Sequence, residues 1–375
     1  MKVHVVDPSA YTPPYDHALC AALAAAGVDV ELYTSRFPYG ETPAPDGYAR
    51  RELFYRAARG APASLVRRAI KGAEHVPGML QYRAAATAAQ LVHFQWLVLP
   101  QIDRWLLPRG RPLVLTAHEL LPREAPASQR AAQRRLYERL DAVIVHSEHG
   151  RRRLIAELDL PAEKVHAIPH GALAHLAATA ETTTARAGAN ALPAGLQPTA
   201  APVVLCFGLI RPYKGVEVLL EAWRGITDAE LWIVGRPRFD IAALRAGAPP
   251  GVRWVPRFVS DAELAACFRR ADLVVLPYRE IEQSGVLATA LAFGSTLVLS
   301  DVGGFGEVAA TGAARLVAPG DPDALRAELL ELLGDRGARE QLSAAARALA
   351  GGEWSWQRVA ERTKALYGSL LSRGS

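Results

Sequence analysis

Short apolar runs recur along the chain, and each is followed by a polar turn and a segment with helical periodicity. This alternation is typical of parallel strands joined by crossover helices. Two series of runs are present, so the pattern predicts two open α/β domains. The predicted strands lie at 2–6, 28–34, 91–96, 112–118, 141–147 and 164–171 in the first series, and at 202–208, 230–235, 252–258, 272–278, 295–301 and 313–319 in the second.

The same pattern sets the expected domain boundaries. Residues 1–173 would form the first Rossmann-like domain, and residues 202–353 the second. Between them, residues 174–201 are rich in Ala, Thr, Gly and Pro and indicate an interdomain loop region. Residues 354–375 carry a helical apolar stripe that could pack back on the first domain. Ligands of open parallel sheets bind beyond the carboxyl ends of the strands, so the site is expected in the cleft between the facing domains.

Composition and charge narrow the class of protein. Of the 375 residues, 50% are hydrophobic and 22% are charged, as in globular proteins with more than one core. The net charge of +5 is modest and both signs are interspersed, which argues against a nucleic-acid partner. The three cysteines are scattered without metal-ligand spacing, which indicates a reducing compartment. We find no leader-like segment and no apolar run long enough to cross a membrane, so we expect a cytoplasmic protein.

The segment 207–223, FGLIRPYKGVEVLLEAW, contains the first candidate binding loop. Gly208 ends a predicted strand and would let the backbone approach a ligand closely. Arg211 and Lys214 stand beside the start of the following helix, where two cations suit a diphosphate. A solvated turn with a lysine on its rim explains these residues equally well. The segment lacks the Gly-x-Gly-x-x-Gly spacing of a dinucleotide fingerprint, so a dehydrogenase gains little support.

A second candidate loop, EIEQSGVLATALAFG at 280–294, follows another predicted strand. The backbone amides at the helix start after Gln283 and Ser284 lack intrahelical acceptors and attract anions, and Gly285 permits close approach. The alternative is a plain serine cap of a buried helix. Two helix starts of this kind in one domain favour a shared diphosphate ligand. A third segment, SDVGGFGEV at 300–308, carries Gly303 and Gly304, which a tight turn would also explain.

Together the three segments resemble the nucleotide-sugar-binding domain of glycosyltransferase family 4, a group of retaining GT-B enzymes. The matching residues are Gly208, Lys214 and Gly215 in the first segment, Ala290, Ala292 and Gly294 in the second, and Gly303, Gly304 and Glu307 in the third. The resemblance implies an α/β GT-B fold, with two Rossmann-like domains facing a central cleft and a C-terminal helix returning to the N-terminal domain.

The resemblance also implies an activity. The protein would transfer a hexosyl group from a UDP- or GDP-linked sugar to an acceptor hydroxyl with retention of configuration, in the synthesis of cell-envelope glycans or glycoconjugates. No metal or other cofactor is expected, because cations and helix starts balance the leaving diphosphate. Asp321-Pro-Asp323 is interpreted as a helix cap and not as a metal motif.

Individual positions acquire roles from the resemblance, with two departures from the family pattern. The family's pair of glutamates is replaced by Ile281 and Thr289. Either Thr289 would hold the ribose more weakly or another group would help, and Glu282 is the candidate contact to the transferred sugar. Leu209 stands where an arginine is common, so Arg211 would reach the phosphates instead. The predicted catalytic residues are His118, Lys214, Arg211 and Glu282, and the predicted donor-binding residues are Gly208, Lys214, Arg257, Phe258, Gln283, Ser284, Gly285, Val286 and Thr289.

The first domain is expected to bind the acceptor. Tyr15 and Asp16 follow the first strand and are the candidate acceptor contacts, with N-capping of a helix starting near Asp16 as the alternative. His170 is interpreted as structural. The acceptor could be a polysaccharide, a lipid-linked glycan, a lipid or a small molecule.

Basic residues cluster at three places, which raises the question of membrane contact. The clusters are Arg67, Arg68 and Lys71, then Arg134 and Arg135, then Arg151 to Arg153. They indicate either solvated helix faces or peripheral attraction to anionic lipid at the inner face of a membrane, worth about 1 kcal/mol per basic residue. The alternative functions are a GT-B phosphorylase, a nucleotide-sugar epimerase and a non-catalytic subunit that binds nucleotide sugars.

Overall fold

The structure is a computed structural model that describes residues 1–38, 40–58, 64–97, 99–120, 127–174, 176–177 and 192–373. Residues 175 and 178–191, which make up more than half of the predicted interdomain loop, therefore lie outside the described residues. The chain forms two compact units. One consists of Met1–Pro169 together with Trp356–Ser375, and the other of His170–Ser355.

The first unit is built on a parallel sheet with the strand order β3-β2-β1-β4-β5-β6-β7. Its central strands are mostly apolar and are buried throughout, as expected where helices cover both faces of a sheet. The strands are β1 (Lys2–Asp7), β2 (Asp29–Ser35), β3 (Ala49–Phe54), β4 (Leu91–Phe94), β5 (Leu113–Thr116), β6 (Ala142–Val145) and β7 (Val165–Ala167).

The helices of this unit include the C-terminal helix of the chain. They are α1 (Pro13–Ala25), α2 (Leu65–Ala85), α3 (Pro100–Leu106), α4 (Ala127–Glu138), α5 (Glu148–Leu158) and, last in the chain, α13 (Trp356–Arg373). Helix α13 packs on α1, and Lys364 Nζ donates to the carbonyl oxygen of Ala26. The Tyr367 hydroxyl lies 2.6 Å from His93 Nδ1 on β4. The predicted return of the C-terminal helix to the N-terminal domain is thus confirmed.

The second unit has a parallel sheet with the order β10-β9-β8-β11-β12-β13. Its strands are β8 (Val203–Phe207), β9 (Glu230–Val234), β10 (Val252–Val255), β11 (Leu273–Leu276), β12 (Leu297–Ser300) and β13 (Ala314–Val317). Its helices are α6 (Val216–Ala222), α7 (Ala242–Ala246), α8 (Asp261–Arg270), α9 (Gly285–Ala292), α10 (Phe305–Ala309), α11 (Pro322–Gly334) and α12 (Arg336–Gly351). The loops after β8 and β11 leave neighbouring strands, which brings the first two candidate binding segments to one edge of the sheet.

The structure confirms the fold predicted from the sequence and corrects it in two places. Strand β3 was not predicted, because its sequence ARRELF has three charged residues and no apolar run. Helix α1 begins at Pro13 and not near Asp16, since a proline at the first position has no amide that needs an acceptor. Asp321 accepts from the amides of Asp323 and Ala324, which confirms it as the cap of α11. Among the described helices, none has both the length and the apolar character needed to cross a bilayer.

Candidate functional site

The turn after β8 is packed so closely that its glycines cannot be replaced without displacement. Gly208 has φ +108°, and a Cβ there would lie 2.9 Å from Val286 Cγ2 and 3.1 Å from Lys214 Nζ. At Gly215, with φ +64°, a Cβ would lie 1.9 Å from the carbonyl oxygen of Pro277. The structure therefore brings together Gly208, Lys214 and Val286, three of the predicted donor-binding residues.

Lys214 is a buried cation held by a tyrosine. It ends the short 3₁₀ turn Pro212–Lys214, and only 8% of its surface is exposed. Its ammonium donates to the Tyr278 hydroxyl at 2.7 Å and lies 4.5 Å from the centre of that ring. Burial raises the pKa of Tyr278, so the phenol stays neutral and accepts this bond. The charge of Lys214 is thus positioned by a neutral group and is not cancelled by this tyrosine.

The same hydroxyl links Lys214 to the start of α9. Tyr278 Oη lies 3.4 Å from Ser284 Oγ. Ser284 is the N-cap of α9, and its side chain accepts from the amide of Leu287 at 3.3 Å. The predicted serine cap is therefore confirmed. It leaves the amides of Gly285 and Val286 at the open helix start, and a Cβ on Gly285 would meet no atom within 4 Å.

The remaining residues of the second loop lie around this helix start. Thr289 is buried and its hydroxyl donates to the carbonyl oxygen of Gly285 at 2.9 Å, so only its oxygen lone pairs remain for a ribose hydroxyl. Glu282 and Gln283 are partly buried in the loop before α9. Gly303 has φ +57°, and a Cβ there would lie 1.9 Å from the carbonyl oxygen of Ile281. The third glycine segment therefore supports the second loop by close packing.

Arg211 and Arg257 differ in how their charges are used. Arg211 is partly exposed beside Lys214, and its guanidinium makes no hydrogen bond or ion pair with the described residues. Arg257 forms two hydrogen bonds with the Glu263 carboxylate, at 2.6 and 3.1 Å, and they lower the pKa of Glu263 to about 2. The Arg257 guanidinium is therefore held by a residue in the first turn of α8. The neighbouring Phe258 has 66% of its surface exposed.

His118 lies in the first unit, just beyond β5, and its ring is fixed on several sides. Its Nε2 lies 3.1 Å from Gln95 Oε1, and its Nδ1 lies 3.4 Å from His146 Nε2. The ring stacks on Trp96 with a centroid distance of 5.1 Å and an interplanar angle of 14°. The edge of the Tyr15 ring approaches it at 4.7 Å. These contacts hold one orientation of the imidazole.

The structure places the predicted acceptor residues Tyr15 and Asp16 in the interior. Tyr15 packs against His118, and burial raises the pKa of its hydroxyl group. Asp16 is hydrogen-bonded to Asp7, and Thr12 Oγ1 lies 3.5 Å from its carboxyl. Asp16 does not cap α1, because that helix starts at Pro13. This burial argues against direct contact with an acceptor. His170, treated as structural, is also buried, which lowers its pKa to about 4.

Tyr278 contacts two candidate site residues, Lys214 and Ser284, and was not predicted from the sequence. It follows β11 directly, in the run DLVVLPY, and so lies at a carboxyl strand end where ligands of such sheets bind. Its position at the end of a predicted strand is the sequence feature that could have indicated it. The contact of Tyr278 with Lys214 joins two segments more than sixty residues apart, so spacing within either motif does not reveal it.

Two family profiles match the chain, one for each region of sequence that carries a predicted domain. Residues 15–172 match the profile described as Glycosyltransferase Family 4, and residues 201–335 match Glycosyl transferases group 1. The chain belongs to this glycosyltransferase family. It is a GT-B enzyme, and the predicted resemblance is confirmed.

Relatives of this glycosyltransferase include bacterial enzymes named for a sugar transfer. It is 27% identical to the D-inositol 3-phosphate glycosyltransferase of Jonesia denitrificans, over 93% of this chain and 88% of the relative. It is 31% identical to the GDP-mannose:glycolipid 4-beta-D-mannosyltransferase of Xanthomonas campestris, but over only 49% of this chain and 48% of the relative.

Solved structures show the same fold. Sucrose-phosphate synthase from Thermosynechococcus elongatus superposes with a TM-score of 0.75 at 20% identity, over the whole of both chains. The Anabaena protein HepE in complex with UDP-glucose gives a TM-score of 0.71 at 17% identity, over 99% of this chain and all of that one.

Proposed function

We propose that this glycosyltransferase transfers a hexosyl group from a UDP- or GDP-linked sugar to an acceptor hydroxyl, with retention of configuration. The observation that carries the proposal is the junction at Tyr278. Its hydroxyl joins the buried cation Lys214 to Ser284 at the start of α9, so a cation and two open amides converge. That combination suits a diphosphate.

In the proposed reaction, the chain stabilises negative charge as it grows on the departing diphosphate. Lys214 and the amides of Gly285 and Val286 would bind the phosphate oxygens, and Arg211 would add a second charge from the rim. Such groups accelerate transfer because they bind the transition state more strongly than the ground state. These residues supply the positive charge, and we therefore propose that transfer proceeds without a divalent ion.

Other predicted residues are assigned to the remaining parts of the donor. We assign the base to the main chain near Arg257 and to the exposed ring of Phe258, because the guanidinium of Arg257 is held by Glu263. We assign the ribose to Thr289, and the transferred sugar to Glu282 and Gln283, and we retain His118 as a proposed catalytic residue of the first unit. The relatives act on inositol phosphate and glycolipid by name, which supports an acceptor in glycoconjugate synthesis of the cell envelope.

We also propose peripheral contact with an anionic membrane through α2. Residues at positions 65, 66, 69, 73, 76 and 80 are all apolar and exposed, which makes an outward apolar face on this helix. Leu65 alone has 76% of its surface exposed. The helix carries four basic residues, Arg67, Arg68, Lys71 and Arg83, and one acidic residue, Glu74. Its net positive charge therefore complements anionic lipid. An apolar face flanked by basic residues is typical of interfacial helices.

Nucleotide-sugar binding tests the main proposal. The melting temperature of the wild type should rise with at least one member of a panel of UDP- and GDP-sugars, since a ligand at about 100 times its dissociation constant adds roughly 2.7 kcal/mol. Lys214→Met should remove that rise and lower transfer about 100-fold or more, as loss of one preorganised donor typically does. Lys164→Met, which changes a partly exposed lysine of the first unit in the same way, is the control.

The outcomes separate the alternatives. Unchanged transfer in Lys214→Met would show that the diphosphate assignment is wrong. Turnover with inorganic phosphate and no nucleotide would instead identify a phosphorylase. Binding of a nucleotide sugar without hydrolysis or transfer to any acceptor extract would identify a binding subunit.

A further inference from the structure

Lys71 is a cation of the first unit that the proposed donor site does not use. It lies on α2, on the side facing the sheet, and its side chain is partly buried. Its ammonium lies 3.3 Å from Ser9 Oγ, 4.5 Å from the centre of the Tyr55 ring and 5.8 Å from that of Tyr11. Among the described residues, no carboxylate forms an ion pair with it.

Asp7 is the carboxyl group whose charge acts on Lys71, and its oxygens already accept other hydrogen bonds. Asp7 accepts hydrogen bonds from the amides of Ser9, Tyr11 and Thr12, at 3.1, 2.6 and 3.3 Å. It also accepts a hydrogen bond from the carboxyl of Asp16. Burial and the nearby Arg67 lower the pKa of Lys71, which means that its charge is incompletely compensated. Ring faces offset only about 0.5–2 kcal/mol of such a cost.

The aromatic ring beneath Lys71 is held rigidly. The Tyr55 hydroxyl lies 2.7 Å from His75 Nδ1, and His75 Nε2 lies 2.6 Å from Asp103 Oδ1. All three residues are buried. Tyr55 has φ +50°, a conformation that residues with a Cβ rarely adopt and that is found preferentially at ligand sites. The Lys71 ammonium is thus positioned by a preorganised support.

An aromatic wall connects Lys71 with His118. Tyr11, with 55% of its surface exposed, contacts Trp96 edge to face at 5.1 Å. Trp96 in turn stacks on His118 at 5.1 Å, and its Nε1 donates to Thr12 Oγ1 at 3.1 Å. The rings come from the loops after β1 and β4, at the carboxyl edge of the sheet. A polyol lying on this wall would reach from His118 to the cation.

We propose that Lys71, with Ser9, Tyr11 and Trp96, is an acceptor subsite for a phosphate ester of a polyol. The phosphate pairs with the Lys71 ammonium and the Ser9 hydroxyl, and the polyol packs on the rings of Tyr11 and Trp96. This rests on the proposed glycosyltransferase function and specifies its acceptor class. Either a free polyol phosphate or a phospholipid headgroup provides the same chemistry.

Matched pairs of probes test the subsite with the full-length protein. Calorimetry compares myo-inositol 1-phosphate with myo-inositol, and glucose 6-phosphate with glucose. Flotation compares phosphatidylcholine vesicles with and without phosphatidylinositol. The variant is Lys71→Met, which keeps the length of the chain between the rings, and the control is Arg68→Gln, which removes one charge from the exposed side of the same helix.

We expect the wild type to bind at least one phosphorylated probe at least tenfold more tightly than its neutral partner. Lys71→Met should lose about tenfold or more of that affinity, because charge-assisted hydrogen bonds contribute on that scale. The neutral probes and Arg68→Gln should be unaffected in solution. Preference for the phosphorylated member of the soluble pairs identifies a free polyol phosphate. Preference for the phosphatidylinositol vesicles alone, reduced more by Lys71→Met than by Arg68→Gln, identifies a lipid headgroup.

Several results would overturn the subsite. These are equal affinity for charged and neutral probes, absence of binding to every phosphorylated probe, and equal losses of affinity for the soluble phosphorylated probes in Lys71→Met and Arg68→Gln. A parallel titration with the nucleotide sugar that stabilises the wild type keeps the two proposals apart. If that titration succeeds while the phosphorylated probes fail, the subsite is wrong and the glycosyltransferase function stands. If no nucleotide sugar binds, the proposed function itself fails.

Discussion

Asp7 at the end of β1 and Asp16 in the first turn of α1 form a carboxyl pair, and one of the two must carry a proton. Asp7 and Asp16 are both buried, and burial raises the pKa of each. Three backbone amides favour the charged form of Asp7, whereas the charge of Asp7 opposes ionisation of Asp16. Asp16 is therefore the proton donor of the pair. The shared proton makes a specific hydrogen bond between the end of β1 and the start of α1.

The pair predicts a stability that falls as the pH rises. Because the folded-state pKa values lie above the unfolded ones, the folded protein binds more protons than the unfolded chain, and stability decreases from about pH 4 up through the raised pKa values. Asp16→Asn supplies an amide donor that needs no proton. We expect the melting temperature of this variant relative to the wild type to increase steadily between pH 5 and pH 8.5, measured by circular dichroism.

The control for this prediction is Asp46→Asn, which changes an exposed carboxylate of the same unit by the same atoms. Its melting temperature should follow the wild type across the whole range. A difference between Asp16→Asn and the wild type that does not vary with pH would mean that Asp16 is ionised in the folded protein, and would contradict the shared proton.

The candidate site residues named from the sequence are those whose signal is local. Gly208 and Lys214 stand six positions apart in one turn, and Ser284 directly precedes its helix, so these positions and the family resemblance together pointed to them. Tyr278 and the cluster around Lys71 depend on contacts between distant segments. Lys71, Tyr11 and Trp96 lie on a helix and two loops that only the sheet order brings together. Thr289 was found by comparison with a family pattern, because its residue type carries no signal of its own.

At the level of elements, burial decides what the sequence can predict. The central strands are buried on both faces and therefore read as continuous apolar runs. β3 lies at the edge of its sheet, where charged side chains are tolerated and discourage pairing with other chains. The edge position thus explains why the sequence of β3 is polar, and this polar sequence explains why the strand was not predicted.

Helix α2 shows the converse, an apolar face that the fold leaves exposed. We expect the triple variant Leu65→Ser, Val66→Ser and Leu80→Ser to bind vesicles containing anionic phosphatidylglycerol at least tenfold more weakly than the wild type. The reason is the loss of apolar area that would enter the interface. Co-sedimentation with the vesicles measures the affinity. Binding of the wild type should also weaken as salt is added, because screening reduces the contribution of the basic residues.

The matched control for the α2 variant is Leu330→Ser, an exposed leucine of the second unit. It should sediment with the vesicles as the wild type does. Equal binding by the triple variant and the wild type, or wild-type binding that is the same for anionic and neutral vesicles, would rule out this helix as the membrane contact.

At the level of the whole molecule, the first unit is assembled from both ends of the chain. Helix α13 supplies Val359, Ala360 and Tyr367 to the core that also contains strands β1 and β4. The Tyr367 hydroxyl contacts His93, a residue whose pKa burial lowers to about 3 and which is therefore neutral. The second unit, in contrast, is continuous in sequence and holds the predicted donor residues other than His118.

This division predicts that damage to α13 affects the two units differently. Tyr367→Ala removes a fully buried aromatic ring and leaves His93 without this partner, which should cost the first unit about 3–5 kcal/mol of stability. Hydrogen exchange measured by mass spectrometry should then speed up in β1 and β4 and stay unchanged in β8 and β11. Affinity for the stabilising nucleotide sugar should remain within a few-fold of the wild type. The control is Ile102→Ala, at an exposed position of the first unit, which should change neither the hydrogen exchange nor the affinity. Faster exchange in both units of Tyr367→Ala would instead show that the two units unfold together.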